Sequence, residues 1–254
     1  MKQYRIAVVP GDGLGVDTIH EAVEALRTIS QVDGGLQFTF DTYPWGCEYY
    51  LQHQEMMPAD GLRILGDYDS ILFGAAGFPT VPDHVSLWGL LLPIRQGFDQ
   101  YINLRPVKLL RGTRGPLRDK GPEDINFVCV RENTEGEYSG VGGRVHRYTD
   151  NEVAVQTSVF TRAGVERVLR YAFELAAKRP AHDLVSATKS NALQYSMVFW
   201  DEVFADLKQK YPQVKCRQYH VDALAARFLT APESLDVVVG SNLFGDILTD
   251  LGGA

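Results

Sequence analysis

The sequence predicts an α/β protein with a largely parallel sheet. Apolar runs of strand length alternate along most of the chain with longer segments of helical periodicity. This alternation is typical of parallel sheets, because parallel neighbours need a crossover connection that is usually a helix. No internal repeat or low-complexity stretch interrupts the order.

The first part of the chain supplies three predicted strands, at residues 5–9, 36–43 and 69–74. A helix is expected after the glycine-rich turn that follows the first strand, continuing to about Ser30. The third strand ends in the small-residue loop GAAG at 74–77. Asp83 is placed to cap a second helix, which Gly89 and Pro93 would make irregular.

The remaining part continues the alternation, with predicted strands at residues 126–130, 184–187, 216–221 and 235–239. Pro106 favours an extended Arg105, so a strand is also expected to begin there. Residues 152–160 are rich in strand-forming residues and are expected to form part of a projecting arm. Thr161 is a predicted helix cap, and further helices are expected at residues 192–210 and at the end of the sequence.

The composition excludes several classes of protein. The chain has 254 residues, of which 45% are apolar, so it can bury a substantial core. A formal net charge of −7 argues against nucleic-acid binding. Cys47, Cys129 and Cys216 form no CxxC pair and are expected to be buried and reduced. The sequence shows neither a signal segment nor a membrane-spanning run, so a cytoplasmic protein without a membrane partner is expected.

Two aspartates near the end of the sequence, Asp246 and Asp250, are candidate metal ligands. Their spacing of four places both carboxylates on one face of a helix. The helix follows a buried strand at 235–239, and open α/β sheets bind ligands at the carboxyl ends of their strands. The alternative is a solvated helix face whose acidic residues the helix dipole favours.

Three arginines, Arg95, Arg105 and Arg131, are candidates for binding a dicarboxylate. A guanidinium group forms two parallel hydrogen bonds to a carboxylate at once. For an arginine chosen at random, a solvated surface position is the more common role. Arg131 differs, because a charged group that ends an apolar strand needs a partner or an opening.

Other residues follow predicted strands or glycine-rich turns. Tyr138 could act as a general acid or anchor a loop, and Lys189 could carry a proton or lie in solvent. Asp222 would add a third carboxylate to an Mg²⁺ or Mn²⁺ site. The motif GDGLG at 11–15 lacks the last glycine of a dinucleotide-binding GxGxxG, because Val16 stands there. A phosphate-binding turn and a plain tight turn both remain open.

Six segments carry a resemblance to a known family: IAVVPGDGLG (6–15), IRQGFDQYINLRPVK (94–108), VRENTEGEYSG (130–140), TKSNAL (188–193), HVDALAARF (220–228) and SNLFGDILTDLG (241–252). They run in family order over the whole chain, and several are long. The chain resembles the metal-dependent β-decarboxylating 2-hydroxyacid dehydrogenases of the isocitrate/isopropylmalate dehydrogenase family.

The resemblance implies a role for each matching residue. Arg95, Arg105 and Arg131 would bind substrate carboxylates, Tyr138 would protonate an enolate, and Lys189 would take the hydroxyl proton. The implied cofactor-binding residues are Asn191, Gly74, Gly77 and Leu14, and the implied metal ligands are Asp222, Asp246 and Asp250. The implied cofactors are NAD, with Mn²⁺ or Mg²⁺ and possibly K⁺. The resemblance also implies a homodimer in which Lys189 and Asp222 come from the neighbouring subunit.

The fold implied by the resemblance has two α/β domains that share a long central sheet and is not a Rossmann fold. Residues 1–104 and 246–254 would belong to a large cofactor and substrate domain, and residues 105–245 to a dimerisation domain with a β-arm. The family continues well past this sequence, so the first domain is expected to be incomplete and the chain to be a fragment or a shortened product.

The substrate is expected to be a small 2-hydroxy diacid. Residues 81–95 should line the variable end of the substrate pocket, where Trp88 would shorten the pocket and Leu91 would replace a polar residue. The string DHVSLWG is most similar to the branch that acts on tartrate and D-malate, by NAD-dependent oxidation with decarboxylation. The alternatives are a 3-isopropylmalate dehydrogenase, a truncated non-catalytic paralogue that dimerises and binds metal or diacid, and a plain nucleotide-binding module.

Overall fold

The computed structural model describes residues 2–254, and its internal contacts divide the chain after Phe98 into two units. In the first unit the order is β1 (Lys2–Val9), α1 (Leu14–Asp33), β2 (Leu36–Thr42), α2 (Cys47–His53), α3 (Gly61–Leu65), β3 (Ser70–Phe73), α4 (Asp83–Ser86) and α5 (Leu92–Gly97). Its sheet has the order β2-β1-β3, and β1 is parallel to both neighbours. The three connections that leave the carboxyl ends of these strands therefore lie at one edge of the sheet.

A π-helical segment, Leu87–Leu91, joins α4 to α5. The N–H of Leu92 donates to the carbonyl of Leu87, five residues back. Two residues explain the local irregularity. Pro93 has no N–H to offer to the preceding turn, and Gly89 packs so tightly on Met56 that an added Cβ would lie 2.6 Å from the Met56 Cγ. Asp83 is the first residue of α4 and Pro82 is its N-cap, so the expected Asp83 cap is wrong.

The second unit, Asp99–Ala254, holds the larger sheet. Its elements are β4 (Ile102–Lys108), β5 (Asn126–Glu132), β6 (Gly136–Val145), β7 (Val153–Val159), α6 (Arg162–Lys178), β8 (Asp183–Thr188), α7 (Ser196–Lys208), β9 (Lys215–His220), α8 (Val221–Thr230), β10 (Val237–Gly240) and α9 (Asn242–Gly253). The strand order is β4-β5-β10-β8-β9, with only β4 antiparallel to its neighbour. The pair β6–β7 forms the expected two-stranded arm.

The core of the second unit lies on both faces of its sheet. Every residue from Phe127 to Glu132 in β5 is buried, which a strand achieves only when both faces of the sheet are covered. Helix α6 turns one apolar stripe inward, listed from its N-terminus as Val165, Val168, Leu169, Ala172, Phe173 and Ala176. Burying each large apolar side chain contributes about 1.5–3 kcal/mol, so this stripe holds α6 against the sheet.

The predicted α/β class is confirmed, and two of the finer expectations differ from what is observed. Residues 2–254 form a three-stranded sheet in one unit and a five-stranded sheet in the other, where a single shared sheet was expected. The first unit ends at Phe98 rather than at residue 104, and α9 packs on β4, β5 and β10 within the second unit. In this chain the contacts of residues 246–254 are with the second unit. Their assignment to the first domain, which the resemblance implies, stays a prediction.

None of the helices in residues 2–254 combines the length and the apolar character needed to cross a bilayer.

Replacing Thr161 tests the predicted cap of α6. The Thr161 Oγ1 accepts a hydrogen bond from the Gly164 N–H at 3.0 Å. We expect Thr161→Ala to lower the free energy of unfolding by about 1 kcal/mol, measured by urea denaturation. Thr230→Ala is the control, because the Thr230 hydroxyl donates to the Ala226 carbonyl and caps no helix start. Equal losses in the two variants would contradict the capping role.

Candidate functional site

Most of the predicted site residues of the second unit lie at the carboxyl edge of its sheet. Arg131 is near the end of β5, and Asp246 lies on the helix that follows β10. Lys189 directly follows β8, and Asp222 lies in the first turn of α8, two residues past the end of β9. This edge is where open α/β sheets bind their ligands.

Arg131 is a deeply buried charged side chain at this edge, with 1% of its surface exposed. Its Nε and Nη2 donate to the Asn242 Oδ1 at 3.1 and 2.7 Å, and its Nη1 donates to the Asp246 Oδ1. Burial lowers the pKa of the Arg131 guanidinium, although an arginine remains charged at neutral pH. The expectation that this arginine needs a partner is confirmed.

Gly245 allows α9 to approach β5 closely enough for these bonds. A Cβ at Gly245 would lie 2.7 Å from the Arg131 Cβ, which is closer than real Cβ atoms come. The backbone of α9 therefore packs directly against the stem of Arg131. This close packing places the Asn242 and Asp246 side chains on either side of one guanidinium group.

Asp246 is the point where the candidate residues converge. Besides Arg131, its Oδ1 accepts from the Arg105 Nη1 at 3.4 Å, and its Oδ2 accepts from the Tyr138 hydroxyl at 3.0 Å. Arg105 also donates to the Thr249 Oγ1, one turn further along α9. Two cations and a phenol thus surround one carboxylate.

Tyr138 projects from β6 into this cluster and is half-buried. Burial raises the pKa of the Tyr138 phenol, and the hydrogen bond to Asp246 raises it further. Both effects disfavour the charged phenolate, so the phenol holds its proton throughout the neutral pH range. A protonated phenol beside a binding cluster can donate a proton to a developing anion.

Asp250 and the pair Lys189–Asp222 do not join this cluster within one chain. Asp250 is exposed and forms no ion pair with any other residue in 2–254. The Lys189 Nζ lies 3.0 Å from the Asp222 Oδ1, and Lys189 holds the pKa of that carboxyl below its usual range. Residues 2–254 bring no three His, Cys, Asp or Glu side chains together at metal-binding distance. One chain therefore presents two carboxylates of suitable chemistry on α9 and keeps the third elsewhere.

Several predicted residues of the first unit surround a cleft of about 450 Å³. Its lining residues are Phe73, Gly74, Ala75, Ala76, Asp83, Ser86, Leu87, Leu91 and Arg95. Arg95, Leu91 and Gly74 thus border one cleft, and their roles in binding stay a prediction. Trp88 is 43% exposed and Leu14 is 79% exposed, and neither lines this cleft. The π-helical segment turns Leu87 toward the cleft instead of Trp88, so the role of Trp88 stays a prediction.

The loop 74–77 has the openness that a cofactor ring or phosphate would need. A Cβ at Gly77 would meet nothing within 4 Å, so the surface of the loop is clear at that position. Gly74 is different, because a Cβ there would lie 2.0 Å from the Pro10 carbonyl oxygen. The loop is therefore packed against the first loop on one side and free on the other, which fits the close approach of a cofactor to its backbone.

Sequence reasoning missed three residues that build the cluster. Asn242 binds Arg131, Thr249 accepts from Arg105, and Glu137 accepts from the Ser241 Oγ at 2.7 Å and the Leu243 N–H at 3.0 Å. Ser241 also caps α9 through the Phe244 N–H. A serine before a helix is a readable start signal, but its distant partner Glu137 has no local signal.

The family follows from comparison with known proteins. The family model described as isocitrate/isopropylmalate dehydrogenase matches residues 5–254. The chain therefore belongs to the isocitrate/isopropylmalate dehydrogenase family, as the motifs predicted.

Individual relatives give a narrower likeness. The chain is 54% identical over 256 residues to the D-malate dehydrogenase [decarboxylating] of Escherichia coli (strain K12), covering 100% of this chain and 71% of that protein. It is 52% identical over 252 residues to a probable tartrate dehydrogenase/decarboxylase of Bacillus subtilis (strain 168), covering 99% of this chain and 70% of that protein. The crystal structure of isocitrate dehydrogenase from Methylococcus capsulatus matches with a TM-score of 0.85 and 29% identity, over 98% of this chain and 70% of that one.

Removing the Asn242 amide tests whether it holds Arg131 in place. In Asn242→Ala two buried guanidinium N–H groups lose their acceptor, so we expect the free energy of unfolding to fall by about 2–3 kcal/mol in urea denaturation. Asn151→Ala, in an exposed turn of the arm, is the control and should change stability by less than about 0.5 kcal/mol. A loss in Asn242→Ala as small as that of the control would show that Arg131 does not depend on this amide.

Proposed function

We propose that this chain carries out the NAD-dependent oxidation, with decarboxylation, of a small 2-hydroxy diacid, tartrate or D-malate, using Mn²⁺ or Mg²⁺. The observation that carries the proposal is the cluster of Arg131, Arg105 and Tyr138 around Asp246. Relatives with about half of their residues identical to this chain are named for these two substrates, which supports the same reaction class.

Arg131 and Arg105 are proposed to bind a substrate carboxylate. Both guanidinium groups now donate to the Asp246 Oδ1, and a substrate carboxylate can replace that oxygen with a bidentate interaction. Asn242 keeps Arg131 fixed through its other nitrogens during this exchange. The site would then recognise a diacid by preorganised donors, at a small entropic cost.

Asp246 would be released toward a divalent cation by the same exchange. Asp246 and Asp250 of one chain, with Asp222 of a second copy, would supply the oxygen ligands that Mn²⁺ and Mg²⁺ prefer. When bound, the metal would polarise the oxygen of the 2-hydroxyl group. NAD⁺ would accept the hydride from the carbon that bears this hydroxyl. The proposed metal site requires a homodimer, because in a single chain Asp222 pairs with Lys189 away from the Asp246 cluster.

Lys189 and Tyr138 are proposed to handle the two proton transfers. Once Asp222 binds the metal and leaves Lys189, the free Lys189 amine would take the proton of the 2-hydroxyl as the alcohol is oxidised to a ketone. The β-carboxylate then leaves as CO₂, and its bonding electrons form an enolate. The Tyr138 phenol, which is protonated at neutral pH, would deliver a proton to the enolate carbon.

Substrate choice is proposed to depend on the segment 81–95. In the first unit Leu87 and Leu91 line the cleft that also contains Arg95. Apolar side chains there offer no partner for a third carboxylate, and the bulk of Leu87 and Leu91 would shorten the space for a substrate side chain. Both effects favour a four-carbon diacid.

A substrate comparison tests the proposed function. With NAD⁺ and Mn²⁺ present, we expect kcat/KM for D-malate and tartrate to exceed that for 3-isopropylmalate by at least about tenfold, a ratio typical of a few methylene groups in a pocket. The measurement is NADH formation at equal substrate concentrations. Leu91→Glu should weaken D-malate turnover, because Leu91 lines the cleft and a carboxylate there would face an anionic substrate.

Three other results would change the proposal. A preference for 3-isopropylmalate would assign the chain to that substrate. Binding of D-malate or Mn²⁺ without NADH formation would favour a non-catalytic relative that retains the cluster. No binding of any of these ligands would contradict the proposed function altogether.

A further inference from the structure

Asp12, the acidic residue of the GDGLG motif, has no role in the reaction described above, and its environment is unusual. The side chain is 5% exposed, and its carboxylate pairs with no cation among residues 2–254. Its Oδ1 accepts from the Cys47 N–H at 2.9 Å and the Glu48 N–H at 3.3 Å, and its Oδ2 accepts from the Gly77 N–H at 3.0 Å. A buried carboxylate that is bound by backbone N–H groups, and here also by the Cys47 thiol, fixes those groups strongly.

The three partners of Asp12 tie together the connections at the carboxyl edge of the first sheet. Asp12 follows β1, Cys47 begins α2 after β2, and Gly77 follows β3. Because β1 lies between β2 and β3, a side chain at its carboxyl end can reach both neighbouring connections. Asp12 also caps α2 from a distance, since the N-cap residue of that helix, Gly46, has no side chain to do so.

The loop 74–77 is held at three points, of which only one depends on a side chain. The Gly74 N–H donates to the Val9 carbonyl at 2.8 Å, and the Asp12 N–H donates to the Ala75 carbonyl at 2.7 Å. These two backbone bonds fix the beginning of the loop. The end of the loop is fixed by the bond from Gly77 to the Asp12 carboxylate.

We propose that Asp12 is a positioning residue that sets the conformation of the 74–77 loop for the cofactor, linking the GDGLG motif to cofactor affinity. The inference rests on the proposed function, which assigns Gly74 and Gly77 to NAD. It explains why the motif has the form GDG without the third glycine of a dinucleotide fingerprint. Gly11 and Gly15 permit close packing of the first loop on Ala75. The surrounding backbone N–H groups bind the Asp12 carboxylate and not a phosphate.

Asp12→Asn is the informative substitution, because it keeps the shape of the side chain. An amide has one acceptor oxygen and an NH₂ group, so in either orientation at least one backbone N–H faces another donor. Losing one such charge-assisted bond should weaken NAD⁺ binding about tenfold or more, measured by calorimetric titration of the full chain. Binding of D-malate with Mn²⁺ should stay within about twofold, because those ligands are assigned to other residues.

Asp69→Asn is the matched control. Asp69 lies in the same unit, and its Oδ2 also accepts a backbone N–H, from Arg5 at 2.7 Å, but at the amino end of the sheet. If the effect of Asp12 were only a loss of stability, both variants would alter NAD⁺ binding in proportion to their loss in thermal unfolding temperature. We expect Asp69→Asn to leave NAD⁺ affinity unchanged, and equal weakening in the two variants would overturn the proposal.

Hydrogen exchange of individual amides tests the inference without the cofactor. In Asp12→Asn the Gly77 and Glu48 amides should exchange about tenfold faster or more, while the Gly74 amide keeps its protection. Unchanged exchange at Gly77 would overturn the positioning role. If the native chain binds no NAD⁺ at all, the proposed function fails, and the exchange pattern alone then decides whether Asp12 sets the loop.

Discussion

The structure of the candidate site depends on one buried guanidinium group. Arg131 ends an apolar strand in the middle of a packed sheet, and its charge is tolerated because Asn242 and Asp246 accept its hydrogen bonds. Both acceptors lie on α9, whose backbone packs closely against the strand at Gly245. The fold and the chemistry are therefore linked, because the packing that buries Arg131 also places Asp246 beside Arg105 and Tyr138.

Under the proposed function, this arrangement occupies the site with internal ion pairs before a ligand binds. Asp246 pairs with two arginines, so part of their positive charge is compensated before any diacid or metal binds. A diacid and a divalent cation that bind together would add no net charge to the cluster, whereas either alone would change its charge by about two. Lys189 and Asp222 balance each other in the same way at a separate place. Under the proposed function, binding would exchange internal ion pairs for pairs with the ligands.

The sequence predicted the classes of element and the need for a partner at Arg131, but it could not identify the partner. Period and turn signals are local, so the strands, the arm and the Thr161 cap follow from short windows. Asn242 lies 111 residues from Arg131, and Glu137 lies 104 residues from the Ser241 that it binds. Asp12 shows the same limit, because its motif was evident while Gly77, 65 residues away, was not an evident partner. Such pairs arise from strand order, which a local pattern does not encode.

Asp246 is proposed to couple the binding of the metal to the binding of the diacid, and calorimetric titration of D-malate measures this coupling. In the native chain we expect Mn²⁺ to strengthen D-malate binding by at least about tenfold, the equivalent of one favourable charge pair. In Asp246→Asn, where the carboxylate that exchanges partners is absent, Mn²⁺ should have no such effect. The same Mn²⁺ dependence in both proteins would contradict the account.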